Sequence, residues 1–326
     1  MLNLTPNTVT VLATLFGALV VGSLIRLVGT LVSRGSGQPS RIDSLATWWA
    51  LAILFGGAVV IGKLGVVVLF AFASALGVRE YFAVISKKMS WQPAQSWWCL
   101  AVAVTYAAIA FGATDACWGA IPLLIVLLVA VLRIAGGGIN GFIHDVGVSS
   151  WGLLLLVSGL SHAALLLRLP TSINPAGGAM GWLIFLVVLT QVNDIAQALW
   201  GRRLGKHKVT PRLSPHKTWE GLVLGALTTI AVALVLGCLL TPLHDGPPLR
   251  MGDSALTIPA LWSSVAGLLI AVGGFLGDLN MSAVKRDAGI KDSGTLLPGQ
   301  GGILDRIDSL TFTAPLFYYY VRVLYG

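Results

Sequence analysis

The segment from Ser282 to Asp308 reads SAVKRDAGIKDSGTLLPGQGGILDRID and gathers charge and glycine inside a chain that is otherwise strongly apolar. Only 10% of the 326 residues are charged, yet nine charged side chains fall within the 31 positions that begin at Asp278. These side chains are Asp278, Lys285, Arg286, Asp287, Lys291, Asp292, Asp305, Arg306 and Asp308. Charge is costly to place near a hydrocarbon layer unless it is used. The segment therefore indicates an active site.

The composition around this segment is that of a membrane protein. Hydrophobic residues make up 56% of the chain, and the charged fraction is far below the roughly 25% of soluble domains. With about 20 apolar residues for one bilayer crossing, the sequence predicts an all-α polytopic integral membrane protein with about ten, in a range of eight to ten, transmembrane helices. The predicted spans are 7–31, 44–62, 64–78, 94–113, 119–135, 150–168, 178–199, 221–241, 257–277 and 303–324. The short pair on either side of Lys63 has an alternative interpretation as one re-entrant or interfacial hairpin.

Lysine and arginine collect in alternate loops, and this alternation predicts the topology. The loops assigned to the basic side are 32–43, 79–93, 136–149, 200–220 and 278–302, of which 136–149 itself contains no Lys or Arg, whereas 114–118, 169–177 and 242–256 carry few basic residues. Because basic residues favour the cytoplasmic side, we expect both termini outside and the charged motifs on the cytoplasmic face. The expected location is the cytoplasmic (inner) membrane of a prokaryote.

Two further features of the composition exclude classes of function. The formal net charge of +8 is explained by topology and by anionic headgroups, so we expect no nucleic-acid partner. Cys99, Cys117 and Cys238 show no metal-type spacing. The sequence predicts neither a disulfide framework nor a zinc site.

Two motifs carry a resemblance to a known family. The pattern Ser-x-x-Lys-Arg-x4-Lys-Asp-x-Gly-x3-Pro-Gly-x-Gly-Gly-x-x-Asp-Arg-x-Asp runs from Ser282 to Asp308. Upstream, Gly-x-x-x-Gly-Lys begins at Gly201, and Pro-x-x-Ser-Pro-x-Lys-Thr-x-Glu-Gly begins at Pro211. Both blocks, in this order, resemble the phosphatidate cytidylyltransferase (CDP-diacylglycerol synthase) family. The chain is therefore interpreted as a divergent branch with an N-terminal transmembrane region, 1–135, and a C-terminal catalytic transmembrane region, 136–326.

The resemblance implies a nucleotidyltransferase of phospholipid biosynthesis. Such an enzyme joins CTP and phosphatidate to give CDP-diacylglycerol and pyrophosphate, with Mg²⁺ as cofactor, room for a second cation, membrane lipids around it and a homodimeric assembly. One alternative is a related CTP-dependent transferase that acts on another lipid phosphate. Another is a non-catalytic membrane homologue or a transporter. A transporter should show repeats and charges near mid-span, whereas these charges form nonrepeating blocks in cytoplasmic loops 200–220 and 278–302.

The resemblance assigns the metal to Asp278, Asp305 and Asp308. Asp305 and Asp308 are three positions apart at the start of a predicted helix, so their carboxylates share one face. Carboxylate oxygens suit Mg²⁺, which also binds substrate phosphates. The alternative is that these carboxylates only pair with Arg286 and Arg306.

The remaining site residues are predicted to act on phosphate. Glycine-rich turns can aim backbone N–H groups at an anion, helped by a helix N-terminus. The resemblance implies that the turn and one basic loop bind substrate through Arg202, Ser214, Lys217, Gly299, Gln300, Gly301 and Gly302. It implies catalytic roles, mainly charge compensation, for Ser282, Lys285, Arg286, Lys291, Asp292 and Arg306.

Two positions depart from the family pattern. Met281 stands where the family has an acidic residue, and Gln300 stands where it has histidine. Glutamine keeps hydrogen bonding but cannot carry a proton. Outside the motifs, Glu80 follows an apolar run, where the family also has an acidic residue; it is expected to cap a helix or to pair with Arg79 or Lys87.

Overall fold

The computed structural model describes residues 4–32, 40–91, 95–112, 115–137, 139–251, 254–294 and 301–325. Within them the chain is predominantly helical. The α-helices are α1 (Pro6–Val32), α2 (Ser40–Ile61), α3 (Lys63–Ile85), α4 (Gln95–Phe111), α5 (Asp115–Ala135), α6 (Phe142–Leu153), α7 (Leu160–Leu165), α8 (Gly178–Leu204), α9 (Trp219–Leu240), α10 (Leu261–Asp287) and α11 (Leu304–Tyr325).

Short elements complete the described part of the chain. A π-helical turn, Leu154–Gly159, joins α6 to α7, and 3₁₀ turns cover Ser86–Lys88, Leu166–Arg168 and Thr171–Ile173. Two antiparallel hairpins lie between helices: β1 (Lys208–Thr210) with β2 (Ser214–Thr218), and β3 (Leu249–Met251) with β4 (Ser254–Leu256). The all-α expectation therefore holds for the body of the protein, whereas two loops form small hairpins.

Six helical stretches of the described residues are long and apolar enough to cross a membrane. They are Pro6–Val28, Lys63–Lys88, Phe142–Arg168, Gly178–Leu204, Trp219–Leu240 and Leu261–Asp287. Three shorter apolar helices cover Leu45–Ile61, Gln95–Phe111 and Ala120–Ala135. A helical integral membrane protein is confirmed, while the number of ten spans stays a prediction. Helix α11 is not among the six, and its four charged side chains lower its hydropathy.

The region around Lys63 forms two long helices that meet at Gly62. Helices α2 and α3 contain 22 and 23 residues, and at 1.5 Å per residue each is about 33 Å long, enough to cross a hydrocarbon core. Gly62 has φ 99°, a left-handed conformation that glycine adopts without steric cost. The lengths of these helices do not support the alternative of one short re-entrant hairpin.

The apolar core joins the two predicted regions. The stretch Phe142–Arg168 is 89% buried over its most apolar window, and one hydrophobic cluster includes residues of α3, α8 and α11. At one of these contacts, a Cβ atom on Gly77 would lie 2.7 Å from Ile307 Cδ1. The division at residue 135 stays a prediction. Across it, α3 of the N-terminal region packs against α11 of the C-terminal region.

Glycines bring the helices of the site close together. A Cβ atom on Gly277 of α10 would lie 2.6 Å from the carbonyl oxygen of Asp308 in α11. A Cβ atom on Gly221 of α9 would lie 3.0 Å from Gly201 Cα of α8. Small residues permit such close backbone approach between membrane helices. The contact at Gly277 places Asp278 next to Asp308.

Candidate active site

The first ion pair of the site joins the two sequence motifs. Lys217, at the end of β2, places its Nζ 2.7 Å from Asp278 Oδ2 of α10. The Lys217 side chain is only 14% exposed, whereas that of Asp278 is 40% exposed. The ammonium group of Lys217 also lies 4.5 Å from the centre of the Phe275 ring. Ser282, one turn after Asp278 in α10, donates from its Oγ to Asp278 Oδ1 at 3.3 Å.

The second ion pair lies between α10 and α11. Lys285 Nζ lies 2.7 Å from Asp305 Oδ1, and both side chains are 14% exposed. The other carboxylate oxygen, Oδ2, accepts from Ser293 Oγ at 3.0 Å and from Gly302 N at 3.3 Å. Asp305 is therefore held by a lysine, a hydroxyl and the backbone of the glycine-rich turn.

Glu80 reaches this second pair from the N-terminal part of the chain. Its Oε1 accepts from Ile303 N at 3.1 Å and its Oε2 from Leu304 N at 2.9 Å. Ser293 Oγ lies 3.5 Å from the same Oε2. The expected capping role is thus correct, but the helix that Glu80 caps is α11, which is distant in sequence. The hydrogen bonds found for Glu80 among the described residues go to this segment rather than to Arg79 or Lys87.

Asp278 of the first ion pair also belongs to a group of three carboxylates, together with Asp194 and Asp308. Asp308 is buried, and its Oδ1 accepts from Ser309 N at 2.7 Å. Ser309 Oγ donates to Asp194 Oδ1 at 3.0 Å, which connects α11 to α8. The charges of Asp194, Asp278 and Asp308 act on one another. Although Asp305 and Asp308 lie on one helix, they have different hydrogen-bond partners.

Asp194 is a candidate site residue to which the sequence interpretation gave no role. It stands in α8, a helix that is apolar over most of its length. An acidic residue within a membrane helix is rare and marks function more often than packing. Its position next to Asn193 inside an apolar run was the sequence signal that could have identified it.

Among the described residues, Arg286 bonds backbone carbonyls rather than the aspartates of the segment. Arg286 donates from Nε to the Leu213 carbonyl at 3.4 Å and from Nη1 to the Ile290 carbonyl at 3.1 Å. It thereby attaches the β1–β2 hairpin to the end of α10. The charge of Arg306 acts on Asp194. The lysines, rather than Arg286, form the close ion pairs with Asp278 and Asp305.

The basic loop 200–220 is built around its hairpin and the start of α9. Thr218 caps α9 by accepting from Gly221 N at 3.1 Å. Glu220 accepts from Lys206 N at 3.1 Å and lies 2.6 Å from His207 Nδ1. These bonds close the turn that follows α8 and direct Lys217 towards Asp278.

The other predicted site residues lie at varying depth. Arg202 is exposed and bonds the Ala198 carbonyl at 3.0 Å, while Ser214 is half-buried and pairs with Thr210 in the hairpin. Lys291 and Asp292 are exposed beside buried Ser293.

The glycine-rich turn is described from Gly301 onwards. Gly299 and Gln300 lie outside the described residues. Gly301 has φ 84°, a conformation that strongly favours glycine, and Gly302 N donates to Asp305. Met281, the other departure from the family pattern, is fully buried in α10. A charge at that position would face the apolar core.

Within the described residues, no three acidic, histidine or cysteine side chains form a group tight enough to hold a metal ion. Lys217 and Lys285 lie directly on two of the three carboxylates predicted to bind metal. The donors nevertheless have the right chemistry, because carboxylate oxygens are the ligands that Mg²⁺ prefers. Asp278, Asp308 and Asp194 are near enough to interact through their charges.

Comparisons with known proteins identify the family of this chain. The sequence profile of the Cytidylyltransferase family matches residues 42–324. YnbB, an uncharacterized protein of Escherichia coli strain K12, is 42% identical over 313 residues, which are 95% of this chain and 97% of that protein.

Enzymes with a named activity match a shorter part of the chain. The phosphatidate cytidylyltransferase of Haemophilus influenzae is 40% identical over 143 residues, which are 44% of this chain and 46% of that enzyme. The phosphatidate cytidylyltransferase of Synechocystis sp. is 42% identical over 133 residues, or 40% of each chain. The match spans less than half the length of these enzymes.

Proposed function

This chain belongs to the Cytidylyltransferase family, and on that premise we propose that it transfers CMP from CTP to phosphatidate. The products are CDP-diacylglycerol and pyrophosphate. The observation that carries the proposal is the pair of contacts Lys217–Asp278 and Lys285–Asp305, each 2.7 Å long. They combine cations suited to a triphosphate with carboxylates suited to a metal, and they draw these groups from two separate motifs.

The reaction needs positive charge and orientation more than a strong base. A phosphate oxygen of the lipid attacks the α-phosphorus of CTP, and the bond to the β-phosphate breaks, so pyrophosphate leaves with the electron pair. The lipid phosphate is already ionised near neutral pH, so no side chain has to remove its proton. In the proposal, Lys217 and Lys285 bind phosphate oxygens as point charges, and Ser282, Arg202, Ser214 and Lys291 supply further donors.

Mg²⁺ is the cofactor that the carboxylates fit. Asp278 and Asp308 would hold it with Asp194 beside them, and Asp305 completes the set proposed from the sequence. When bound, the cation neutralises phosphate oxygens and stabilises the leaving group. With four carboxylates, the site also has ligands for a second cation.

The proposed setting follows from the topology. We place the site at the cytoplasmic face of a prokaryotic inner membrane, where CTP enters from the cytoplasm and the lipid enters from the side. The basic hairpin then faces nucleotide and anionic headgroups, consistent with the cytoplasmic preference of basic loops. A homodimer remains part of the proposal.

The test is CMP incorporation into lipid by the purified protein. Labelled CTP and Mg²⁺ are supplied with a panel of lipid phosphates, and we expect label in CDP-diacylglycerol when phosphatidate is present. If label is transferred only to another lipid phosphate, the proposed reaction stands but its acceptor is that lipid instead of phosphatidate. The absence of both transfer and CTP binding by calorimetry, at millimolar CTP with Mg²⁺, would overturn the assignment in favour of a non-catalytic membrane protein or a transporter.

A further inference from the structure

Glu80 belongs to α3, whereas the residues it binds belong to the segment from Ser282 to Asp308, here called the catalytic segment. Its two carboxylate oxygens accept the N–H groups of Ile303 and Leu304 at 3.1 and 2.9 Å. The first N–H groups of a helix have no partner within the helix, and the acceptor usually comes from the residue just before it. Here the acceptor comes from a residue 223 positions earlier than Ile303.

The surroundings of Glu80 link it to Asp305. Ser293 is buried, and its hydroxyl lies 3.0 Å from Asp305 Oδ2 and 3.5 Å from Glu80 Oε2. A Cβ atom on Gly294 would lie 3.1 Å from Glu80 Oε1, so the loop backbone packs against the carboxylate. A shift of Glu80 would move both the start of α11 and the hydroxyl that orients Asp305.

Glu80 also determines which donors remain for phosphate. A helix N-terminus preceded by glycines is a common anion site, but in this chain a carboxylate already occupies the N–H groups of Ile303 and Leu304. Gly302 N is likewise bonded to Asp305. The N–H groups of Gly302, Ile303 and Leu304 are thus already bonded within the protein, and among the described residues Lys217 and Lys285 are the proposed phosphate contacts.

From these contacts we propose that Glu80 is a positioning residue of the active site. It fixes the N-terminus of α11 and, through Ser293, the orientation of the Asp305 carboxylate. The proposal rests on the proposed function in one respect, because it assumes that Asp305 serves the transfer reaction. It gives the N-terminal helices a direct part in catalysis.

The main test compares Glu80→Gln with Asp287→Asn. Both changes remove one carboxylate that connects the N-terminal helices to the catalytic segment, but Asp287 meets Lys88 in an exposed pair, 3.1 Å apart. We expect Glu80→Gln to lower kcat about tenfold, the size of effect found when a group that orients a ligand is lost, with less than about a twofold change in KM for CTP. Asp287→Asn should leave both constants unchanged, since exposed pairs contribute little. Wild-type kcat in Glu80→Gln would overturn the proposal.

A second variant, Ser293→Ala, tests the route to Asp305 while leaving the helix cap in place. It should raise the Mg²⁺ concentration needed for half-maximal rate. Combined with Glu80→Gln, it should cost less than the product of the two single losses, because residues that act through one network are not additive. If the losses in rate of the two single variants multiply in the double variant, or if Ser293→Ala leaves the Mg²⁺ requirement unchanged, Glu80 does not act on Asp305 through Ser293. If Glu80→Gln does not fold, Glu80→Asp, which keeps the charge but shortens the reach to the N–H groups of Ile303 and Leu304, takes its place in the same comparisons.

Amide hydrogen exchange separates this proposal from the proposed function. In the absence of CTP, Glu80→Gln should speed exchange at Ile303 and Leu304 and leave α9 unchanged. Unchanged exchange at these two amides would contradict positioning even in an active enzyme. Faster exchange there, in a protein whose wild type transfers no CMP, would support the positioning of α11 and reject the reaction.

Discussion

The two lysine–aspartate pairs have equal length but different surroundings. Lys217–Asp278 and Lys285–Asp305 both measure 2.7 Å. Asp278 is 40% exposed and gains one further hydrogen bond, from Ser282. Asp305 is 14% exposed and is bonded in addition by Ser293 and Gly302. The length of an ion pair therefore does not reveal how firmly it is held.

The difference indicates a division of labour between the pairs. The first pair joins a hairpin to α10 at an open edge, so its lysine can exchange a carboxylate for a substrate phosphate at little structural cost. The second pair is enclosed between two helices and a glycine-rich turn, where the partner of a desolvated charge is costly to remove. The first pair thus suits ligand binding, and the second suits the fixed geometry of the site.

The largest expected effect comes from the carboxylates assigned to the metal. Asp308→Asn and Asp278→Asn each delete a ligand charge without changing volume, so we expect kcat to fall by about 100-fold or more, while the folded protein stays extractable. Initial rates at saturating Mg²⁺ measure this, with Asp287→Asn as the control. Turnover close to wild type in both variants would remove these residues from the metal site.

A comparison of Asp305→Asn with Asp278→Asn separates the two pairs. Both variants should lose most activity, but Asp305→Asn should also lose stability, because the Asp305 carboxylate is 14% exposed and accepts from Ser293 and Gly302 as well, whereas the Asp278 carboxylate is 40% exposed to water. The expected loss is about 1–3 kcal/mol, the cost of an unsatisfied buried group. Thermal unfolding in detergent measures it. Equal stability of the two variants would show that the enclosure of the second pair has no energetic consequence.

The sequence predicted the composition of the site better than its contacts. Apolar runs were enough to predict a helical membrane protein, and the family resemblance supplied the aspartates and lysines that are proposed for its site. They did not identify which lysine meets which aspartate, because a sequence separation of 61 positions between Lys217 and Asp278 gives no information about their distance in space. Glu80 was left with local partners for the same reason, and its actual contact depends on how α3 packs beside α11.

The start of α6 shows a different limit of sequence analysis. The predicted span began at residue 150, whereas the helix begins at Phe142. Its first turns include Asp145, which reads as a polar loop residue. In the structure Asp145 is buried and paired with Arg133 at 3.1 Å, and Ser90 N also bonds it, at 3.1 Å. A charge that a distant residue neutralises can lie inside a membrane protein, and hydropathy alone does not show this.

A smaller effect is expected from the lysine of the first pair. Lys217→Ala removes a point charge from a proposed phosphate contact, so it should raise the Kd for CTP about tenfold, equivalent to about 1.4 kcal/mol, with little change in stability. Lys208→Ala, an exposed lysine of the same hairpin, should change the Kd less than about twofold. Calorimetric titration with CTP distinguishes them. An unchanged Kd in Lys217→Ala would reduce this lysine to a topological anchor.

The smallest effect on rate is expected from Gln300→His, which adds a titratable group one residue before Gly301 in the sequence. A Cβ atom on Gly301, the next residue in the sequence, would lie 2.9 Å from Asp305 Oδ2. If the family histidine serves mainly as a hydrogen-bond donor, glutamine replaces it tolerably. The wild type should then show no kinetic transition near the ordinary histidine pKa of about 6.5.

In this prediction Gln300→His introduces such a transition, with less than about a threefold change in maximal rate, the scale of one modest hydrogen bond. The pH dependence of kcat/KM for CTP, measured from pH 5 to 9 in both proteins, provides the test. A histidine transition already present in the wild type would assign proton transfer to another residue. If the wild type is inactive and neither Gln300→His nor its combination with Met281→Glu restores turnover, the site has decayed. The presence of both ion pairs argues against that result, because a chain released from catalysis gains nothing from keeping costly charges together.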